Sequence, residues 1–248
     1  MNRSDEGFRQ LERTMFRAWP SFDAVDYDGW VLRFSEGYTK RANSVNPHFG
    51  SSLPLAAKIA HCESAYRSRG LPTIFRLTPF SQPANLDTML AELGYETLDP
   101  TLVMTCSLDG ALGDEVDPEH IVSADQWFAS FDNLRQLADS QSDPHRRIVE
   151  SSEGGHCFVV ISVDGEACAC GLGVHVDDSI GLFDLFTHEA YREQGFGSSI
   201  VRSILGWARH RNARRGFLQV HSQNAPACQL YRHCGFEVAY PYWYRIKR

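Results

Sequence analysis

The chain has 248 residues, 43% hydrophobic and 22% charged, which suits one large domain or two small ones with a genuine apolar core. A formal net charge of −7 and the lack of a long basic run argue against nucleic acid as a partner, and an acidic surface mildly favours cationic ligands. The N-terminal MNRSDEGFRQ carries no charged-then-apolar leader, and no run of about 18 apolar residues occurs, so no membrane span is expected.

In chain order, the first predicted helix covers Asp5–Ala18, with Phe8, Leu11 and Met15 at helical spacing and Pro20 as the stop. GWVLRFS and YTKRANSV read as strands joined at Glu36-Gly37, and SSLPLAAKIAHCESAYRSRG as a helix opened by its serines. LPTIFRLTP reads as a buried strand, NLDTMLAELG as a helix with a glycine stop, and YETLDPTLVMTCSL as closing strands. The acidic, apolar-poor segment Asp109–His120 then marks a domain boundary, dividing the chain into 1–110 and 120–248.

The second half opens with helical segments at Ala124–Leu137 and Pro144–Glu150. HCFVVISV and EACACGLGVHV form a hairpin about Asp164-Gly165, and SIGLFDLFT is a further strand. After the loop REQGFGSS comes a helix over SIVRSILGWARHRNARRG, whose arginines 209, 211, 214 and 215 crowd the end where a helix dipole favours cations. FLQVHS is a strand, NAPACQLYRHCG a helix, and FEVAYPYWYRIKR the last strands.

The halves rhyme. NLDTMLAELGYE and APACQLYRHCGFE are each a helix ending in glycine, an aromatic and a glutamate, and each follows an apolar strand. A tandem repeat of one α/β unit is expected. The first-half counterpart of the loop, VNPHFGSS, has neither the arginine nor the Gly-x-Gly.

A strand, a glycine turn and a helix N-terminus make a natural anion site, because the first helical N–H groups have no partner inside the helix. Gly195 and Gly197 would let a ligand approach the backbone, and Arg192 could bond a phosphate. The plain alternative is a helix start with loop glycines. A P-loop is excluded by the missing lysine, and a dinucleotide fingerprint by the missing third glycine and the short remaining chain.

Arg192-Glu193-Gln194-Gly195-Phe196-Gly197 resembles the Arg/Gln-x-x-Gly-x-Gly/Ala acyl-CoA loop of the GCN5-related N-acetyltransferase (GNAT) family. LFDLFTHEAYR resembles that family's strand and its approach to the loop, and residues 224–236 resemble its N-x-x-A-x-x-L-Y-x-x-x-G-F. The resemblance covers roughly 121–248, with 1–110 as a degenerate GNAT-like domain. It implies an α/β (α+β) fold of two GNAT-like domains, each a mixed, mostly antiparallel central sheet flanked by helices. It further implies an acetyl-CoA-dependent N-acetyltransferase acting on a primary amine by direct attack in a ternary complex.

The resemblance also implies that backbone N–H groups from Gln194 through Ser198 cradle the pyrophosphate. Leu185, Phe186 and Thr187 would pair with pantetheine as an added strand would, since its two amides need an unpaired edge. The cofactor-contact set is therefore Leu185, Phe186, Thr187, Arg192, Glu193, Gln194, Gly195, Phe196, Gly197, Ser198, Asn224 and Tyr231. Tyr231 matches the family's general acid, because a phenol with a pKa of about 10 can protonate a leaving thiolate. Its alternative is core packing, and that of Asn224 is a plain N-cap.

The general base stays open. Gln219 stands where some family members carry a glutamate, and His221, Asp184 or a water chain could serve instead. A cysteine mechanism through Cys228 or Cys234 lacks a spaced histidine. In the first half, Arg33, Lys40, Arg41 and Asn43 could line an acceptor cleft or form a solvated face, and Tyr240, Tyr242, Trp243 and Tyr244 could wall it or pack.

Seven scattered cysteines with no CxxC fit free thiols and a cytoplasmic location, and no metal is expected, since Cys168-x-Cys170 has no accompanying ligand pair. A small amine acceptor is favoured, because a paired domain could close the groove a peptide needs. Binding of acyl-CoA without turnover is the main alternative, a dimerising scaffold is a third, and a homodimer stays open.

Overall fold

The computed structural model describes residues 3–50, 52–109 and 118–247. The expected boundary at Asp109–His120 falls mainly on residues 110–117, outside the described residues. The chain forms two compact units: one comprises Met1–Leu102, His221–Gln223 and Tyr240–Arg248, the other Val103–Val220 and Asn224–Ala239.

The first unit contains α1 (Arg3–Ala18), β1 (Asp23–Tyr27), β2 (Trp30–Phe34), β3 (Val45–Asn46), α2 (Leu55–Arg67), β4 (Thr73–Leu77) and α3 (Leu86–Glu92). β5 (Glu96–Ser107) begins in this unit and ends in the other. The second unit adds α4 (Ala124–Arg135), α5 (Asp139–Glu150), β6 (Gly155–Val163), β7 (Glu166–Val176) and β8 (Ser179–Thr187). α6 (Phe196–Arg209), β9 (Arg215–His221) and α7 (Ala225–His233) follow, and β10 (Glu237–Lys247) starts in the second unit and finishes in the first.

In the first unit the sheet order is β1-β2-β3-β4-β10, antiparallel except for the parallel β3–β4 pair. Its core gathers Trp30, Leu32, Phe34, Ile59, Tyr66, Phe75 and Leu90. β1 was not expected from the sequence. DAVDY is exposed at nearly every position, so it carries no alternating burial signal.

The strand expected over 38–45 is instead a 3-10 turn at Lys40–Ala42 followed by two-residue β3. Asn43 causes this: its Oδ1 accepts from the N–H groups of Ser35 and Gly37, and its Nδ2 donates to the carbonyls of Tyr38 and Thr39. A side chain that satisfies so many local backbone groups replaces a strand ladder. α2 is not opened by its serines either: Pro54 is its N-cap, and Ser52 is engaged elsewhere.

In the second unit the order is β5-β9-β8-β7-β6, with β8–β9 parallel and the pairs β6–β7 and β7–β8 antiparallel. The β6–β7 hairpin turns on Asp164 and Gly165, both at positive φ (52° and 86°), as a two-residue primed turn requires. α4 starts in a capping box made by Ser123 and Gln126. α6 buries Ile200, Val201, Ile204, Leu205 and Ala208, each larger side chain contributing about 1.5–3 kcal/mol. It begins three residues before the expected Ser199 and stops at Arg209, because Asn212 turns left-handed (φ 64°). Arg211 and Arg214 therefore lie beyond the helix, and Arg215 begins β9.

Candidate functional site

The site is built on a defect in the sheet of the second unit. Cys170 pairs with Phe186 and Leu172 with Phe183, so Asp184 and Leu185 together stand opposite the single Gly171. This is a β-bulge, with Asp184 in the left-handed region (φ 52°). On its other side β8 pairs with β9 only from Ser179↔Arg215 to Leu182↔Leu218. Beyond that point β8 keeps its ladder with β7 but none with β9. Phe183–Thr187 thus present a strand edge to a gap.

The unpaired stretch of β9 begins with a residue that carries an orphaned acceptor. Gln219 is the first residue of β9 past the last paired position, and its Oε1 is buried with no hydrogen-bond partner among the described residues. Leu185, Phe186 and Thr187, on the stretch of β8 that β9 leaves unpaired, are partly exposed.

At the end of β8 a 3-10 turn over Glu189–Tyr191 leads into the loop. His188 caps that turn by accepting from the Ala190 N–H, and Gln194 Nε2 donates back to the Ala190 carbonyl at 3.3 Å. Arg192 Nε donates to the Thr187 carbonyl at 3.4 Å, tying the loop to the strand. Glu193 and Gly195 both have positive φ (62° and 87°), which curls the backbone into a concave row of N–H groups. Gly195 is the N-cap of α6 and supplies no side-chain cap, so the first N–H groups of α6 stay available to an anion.

The two glycines have different reasons. A Cβ at Gly195 would meet nothing within 4 Å, so its need is conformational. A Cβ at Gly197 would lie 2.7 Å from Leu230 Cδ1, so this glycine lets α6 pack against α7.

α7 is capped by Asn224, whose Oδ1 accepts from the Ala227 N–H at 3.2 Å, with a proline in its first turn. Tyr231 on the same helix is 9% exposed, its ring 6.1 Å from that of Phe236. Asp184 is partly exposed and is bonded by His145 of α5, Nε2 to Oδ2 at 2.9 Å. His145 was not anticipated from the sequence. His221 closes β9 within the first unit, where its Nδ1 accepts from the Gln223 N–H at 3.3 Å.

The matching loop of the first unit is filled by its own chain. The Asp28 carboxylate accepts from the N–H groups of Ser52 and Leu53 and from the Ser52 hydroxyl, at 2.9 to 3.1 Å. Those backbone N–H groups, with the Ser52 hydroxyl and Lys58, hold the Asp28 carboxyl well below the usual carboxylate range. An internal carboxylate thus occupies the place that the second unit leaves open before α6.

Several of the candidates for an acceptor cleft are engaged inside the fold. Arg33 is buried, donating to the carbonyls of Arg41 and Trp19, and Asn43 is committed to its loop. Tyr240, Tyr242 and Tyr244 are buried, and Tyr240 donates to Glu12. All seven cysteines are buried free thiols, and among the described residues no group of three or more His, Cys, Asp or Glu could hold a metal ion. No helix among the described residues is long and apolar enough to cross a membrane. A separate cleft of about 580 Å³ at the opposite ends of β8 and β9 is lined by Cys106, Asp178, Arg214, Arg215 and Glu237, and includes no residue of the segment from Arg192 to Ser198.

Residues 6–245 match the family described as "Probable histone acetyltransferase Rv0428c C-terminal". A Bacillus subtilis protein named "Uncharacterized N-acetyltransferase YobR" is 28% identical over 98% of this chain and 100% of its own length. A GCN5-related N-acetyltransferase from Kribbella flavida superposes with a TM-score of 0.73 at 14% identity, covering 100% of this chain and 96% of that one. A tandem GNAT protein from the clavulanic acid biosynthesis pathway gives a TM-score of 0.60 at 16% identity, over 77% of this chain and 69% of that one. With the bulged strand, the open loop and the capped tyrosine helix in one unit, the chain belongs to the Rv0428c C-terminal family and is an N-acetyltransferase of the GNAT kind.

Proposed function

We propose that residues 120–248 catalyse transfer of an acetyl group from acetyl-CoA to a primary amine, and that the first unit is a degenerate partner without an acyl-CoA loop of its own. The observation that carries this reading is the parting of β8 from β9 after Leu182↔Leu218, with an uncapped helix N-terminus at the end of the same strand. The pantetheine amides would pair with Leu185, Phe186 and Thr187, and Gln219 Oε1 would gain a donor. Arg192 and the backbone from Glu193 through Ser198 would take the pyrophosphate, and Asn224 would contact the cosubstrate from the start of α7.

In the reaction the amine nitrogen attacks the thioester carbonyl carbon while its proton passes to a base. The C–S bond then breaks, and the departing thiolate takes a proton from Tyr231. Of the two side-chain bases considered, Asp184 fits better than His221. Asp184 lies within the open strand edge, whereas Nδ1 of His221, its acceptor nitrogen, already receives the Gln223 N–H. The acceptor is proposed to be a small cationic amine, in keeping with the net charge of −7. A protein amine, as the family description suggests for its namesake, is the other arm of a substrate screen.

Calorimetric titration of acetyl-CoA into the wild type and Gly195→Asp tests the reading. An aspartate tolerates the left-handed backbone and places a carboxylate where the pyrophosphate should sit. Micromolar binding weakened at least about tenfold in the variant, with thiol release on a small amine, is expected. Binding without thiol release on any amine would favour an acyl-CoA-binding protein, a reading motivated by Gln219 in place of a carboxylate. No binding would overturn both.

A further inference from the structure

We propose that His145 is a positioning residue for the transfer: its Nε2–H fixes the Asp184 carboxylate and holds the bulge that aims it. The inference rests on Asp184 being the base.

A non-glycine residue in the left-handed region costs about 1 kcal/mol, so the fold must hold Asp184 there. An ionised carboxylate only accepts, so His145 Nε2 donates to Oδ2, and Oδ1 is not engaged by His145. The imidazole is fully buried, whereas the Asp184 side chain is 21% exposed. A buried donor gripping a half-open carboxylate orients it toward what lies outside.

The histidine is itself held. Its ring lies 5.9 Å from Trp127, 5.9 Å from Phe128 and 4.7 Å from Phe131, all on α4. Trp127 in turn donates its Nε1–H at 2.9 Å to the carbonyl of Gly171, the residue opposite the bulge. Both strands of the defect are therefore tied to α4 and α5 by one aromatic cluster. From the α6 side Gly171 is faced by apolar side chains: a Cβ on it would lie 2.4 Å from Ile200 Cγ2 and 3.5 Å from Ile204 Cδ1.

The other polar groups nearby are few. Arg135 of α4 lies 5.1 Å over the Phe186 ring. Cys170 of β7 points its thiol at the Asp184 carbonyl at 4.0 Å, and burial, then Asp184, push that thiol up to about 12, so it stays neutral. Asp132 of α4 accepts from Ser142 of α5, and Arg146, next to His145, pairs with Asp125 and Glu150. His145 is thus the group bonded directly to the carboxylate.

Kinetics of His145→Phe, His145→Gln, Asp184→Asn and the His145→Phe/Asp184→Asn double variant test this, with acetyl-CoA affinity measured alongside. His145→Phe should lower kcat roughly 10–100-fold with acetyl-CoA Kd within about twofold. The loss should fall on kcat, with KM for the amine within about threefold, because the carboxylate is misaimed while the binding contacts remain. His145→Gln, which keeps an N–H donor, should recover part of the lost kcat, and should be read alone if His145→Phe does not fold. In the Asp184→Asn background the histidine change should cost no further rate.

A loss carried by KM with kcat unchanged, or an undiminished penalty in the Asp184→Asn background, would overturn the positioning role while leaving Asp184 as base. Asp184→Asn turning over at the wild-type rate would instead overturn the base assignment, and this role with it.

Discussion

Gly197 of α6 and Leu230 of α7 meet so closely that a Cβ on the glycine would sit 2.7 Å from Leu230 Cδ1. The helix that opens with the proposed phosphate loop is thereby seated on the helix that bears Tyr231. Gly197→Ala should cost about 1 kcal/mol, since the clashing atom ends a flexible side chain. Leu230→Ala in the same chain should remove that penalty. Denaturant unfolding of the two single variants and the double variant checks the coupling. Penalties that simply add would place the requirement elsewhere.

Tyr231 is buried on α7, so its removal must be conservative. Tyr231→Phe should keep acetyl-CoA affinity within about twofold and lower kcat by roughly 10²-fold. Parallel calorimetry and thiol-release assays separate the two effects. Unchanged turnover would return the tyrosine to a packing role.

Acid should unfold the first unit through one buried cluster. Glu12 accepts from Arg76 at 2.6 and 3.0 Å and from Tyr240 at 2.6 Å. Burial alone would raise its carboxyl, but Arg76, His48 and the bonds from Arg76 and Tyr240 hold it below the usual range. His48 lies 3.9 Å from the same carboxylate. Burial pushes the His48 imidazole down to about 4, with Glu12 pulling the other way and Arg76, Arg9 and Arg33 adding to the depression.

Both signs agree. The Glu12 contribution is complete above its unfolded value and is lost as pH falls below it. His48 is buried neutral, so below about pH 6.5 the unfolded chain binds the extra proton and stability falls toward pH 4. His48→Leu should flatten the change in unfolding free energy between pH 7 and 5 by about 2 kcal/mol, as urea titrations would read. Glu12→Gln should cost about 3–5 kcal/mol at pH 7, since it leaves Arg76 buried without its carboxylate.

The cysteines should be silent in the native protein. Burial pushes the thiols of Cys62, Cys106, Cys157 and Cys170 up to about 12. A thiolate-selective reagent at pH 8 should label none of these four before unfolding and all seven cysteines afterwards. Mass spectrometry of the labelled chain gives the count, and rapid native labelling at any of the four would contradict their burial.

Local patterns made much of this protein legible in advance. The span of β8, the hairpin at Asp164-Gly165, the helix stop before Gly235 and the glycine turn at Gly195 each follow from residues within one element or turn. Turn chemistry, periodicity and caps act over a few residues, so they leave a readable trace. Asn43 shows the limit of that trace. In the sequence it reads as one polar group on a strand-like run, yet its local bonds replace the strand with a turn.

Only the tertiary structure decided the partners of the charged groups. His145 and Asp184 lie 39 positions apart, Asp28 and Ser52 24 apart, and Glu12 and Tyr240 228 apart. Pairings at such separations have no period and no fixed spacing, because they arise where unrelated elements converge in the packed chain. The same holds for the reason behind Gly197: the sequence offers a glycine beside a loop, and the packing of α7 against α6 decides that Leu230 needs the space. The sequence by itself thus determined the fold and the place of the glycine turn before α6. Packing determined which carboxylate stands open at the bulge and which histidine grips it.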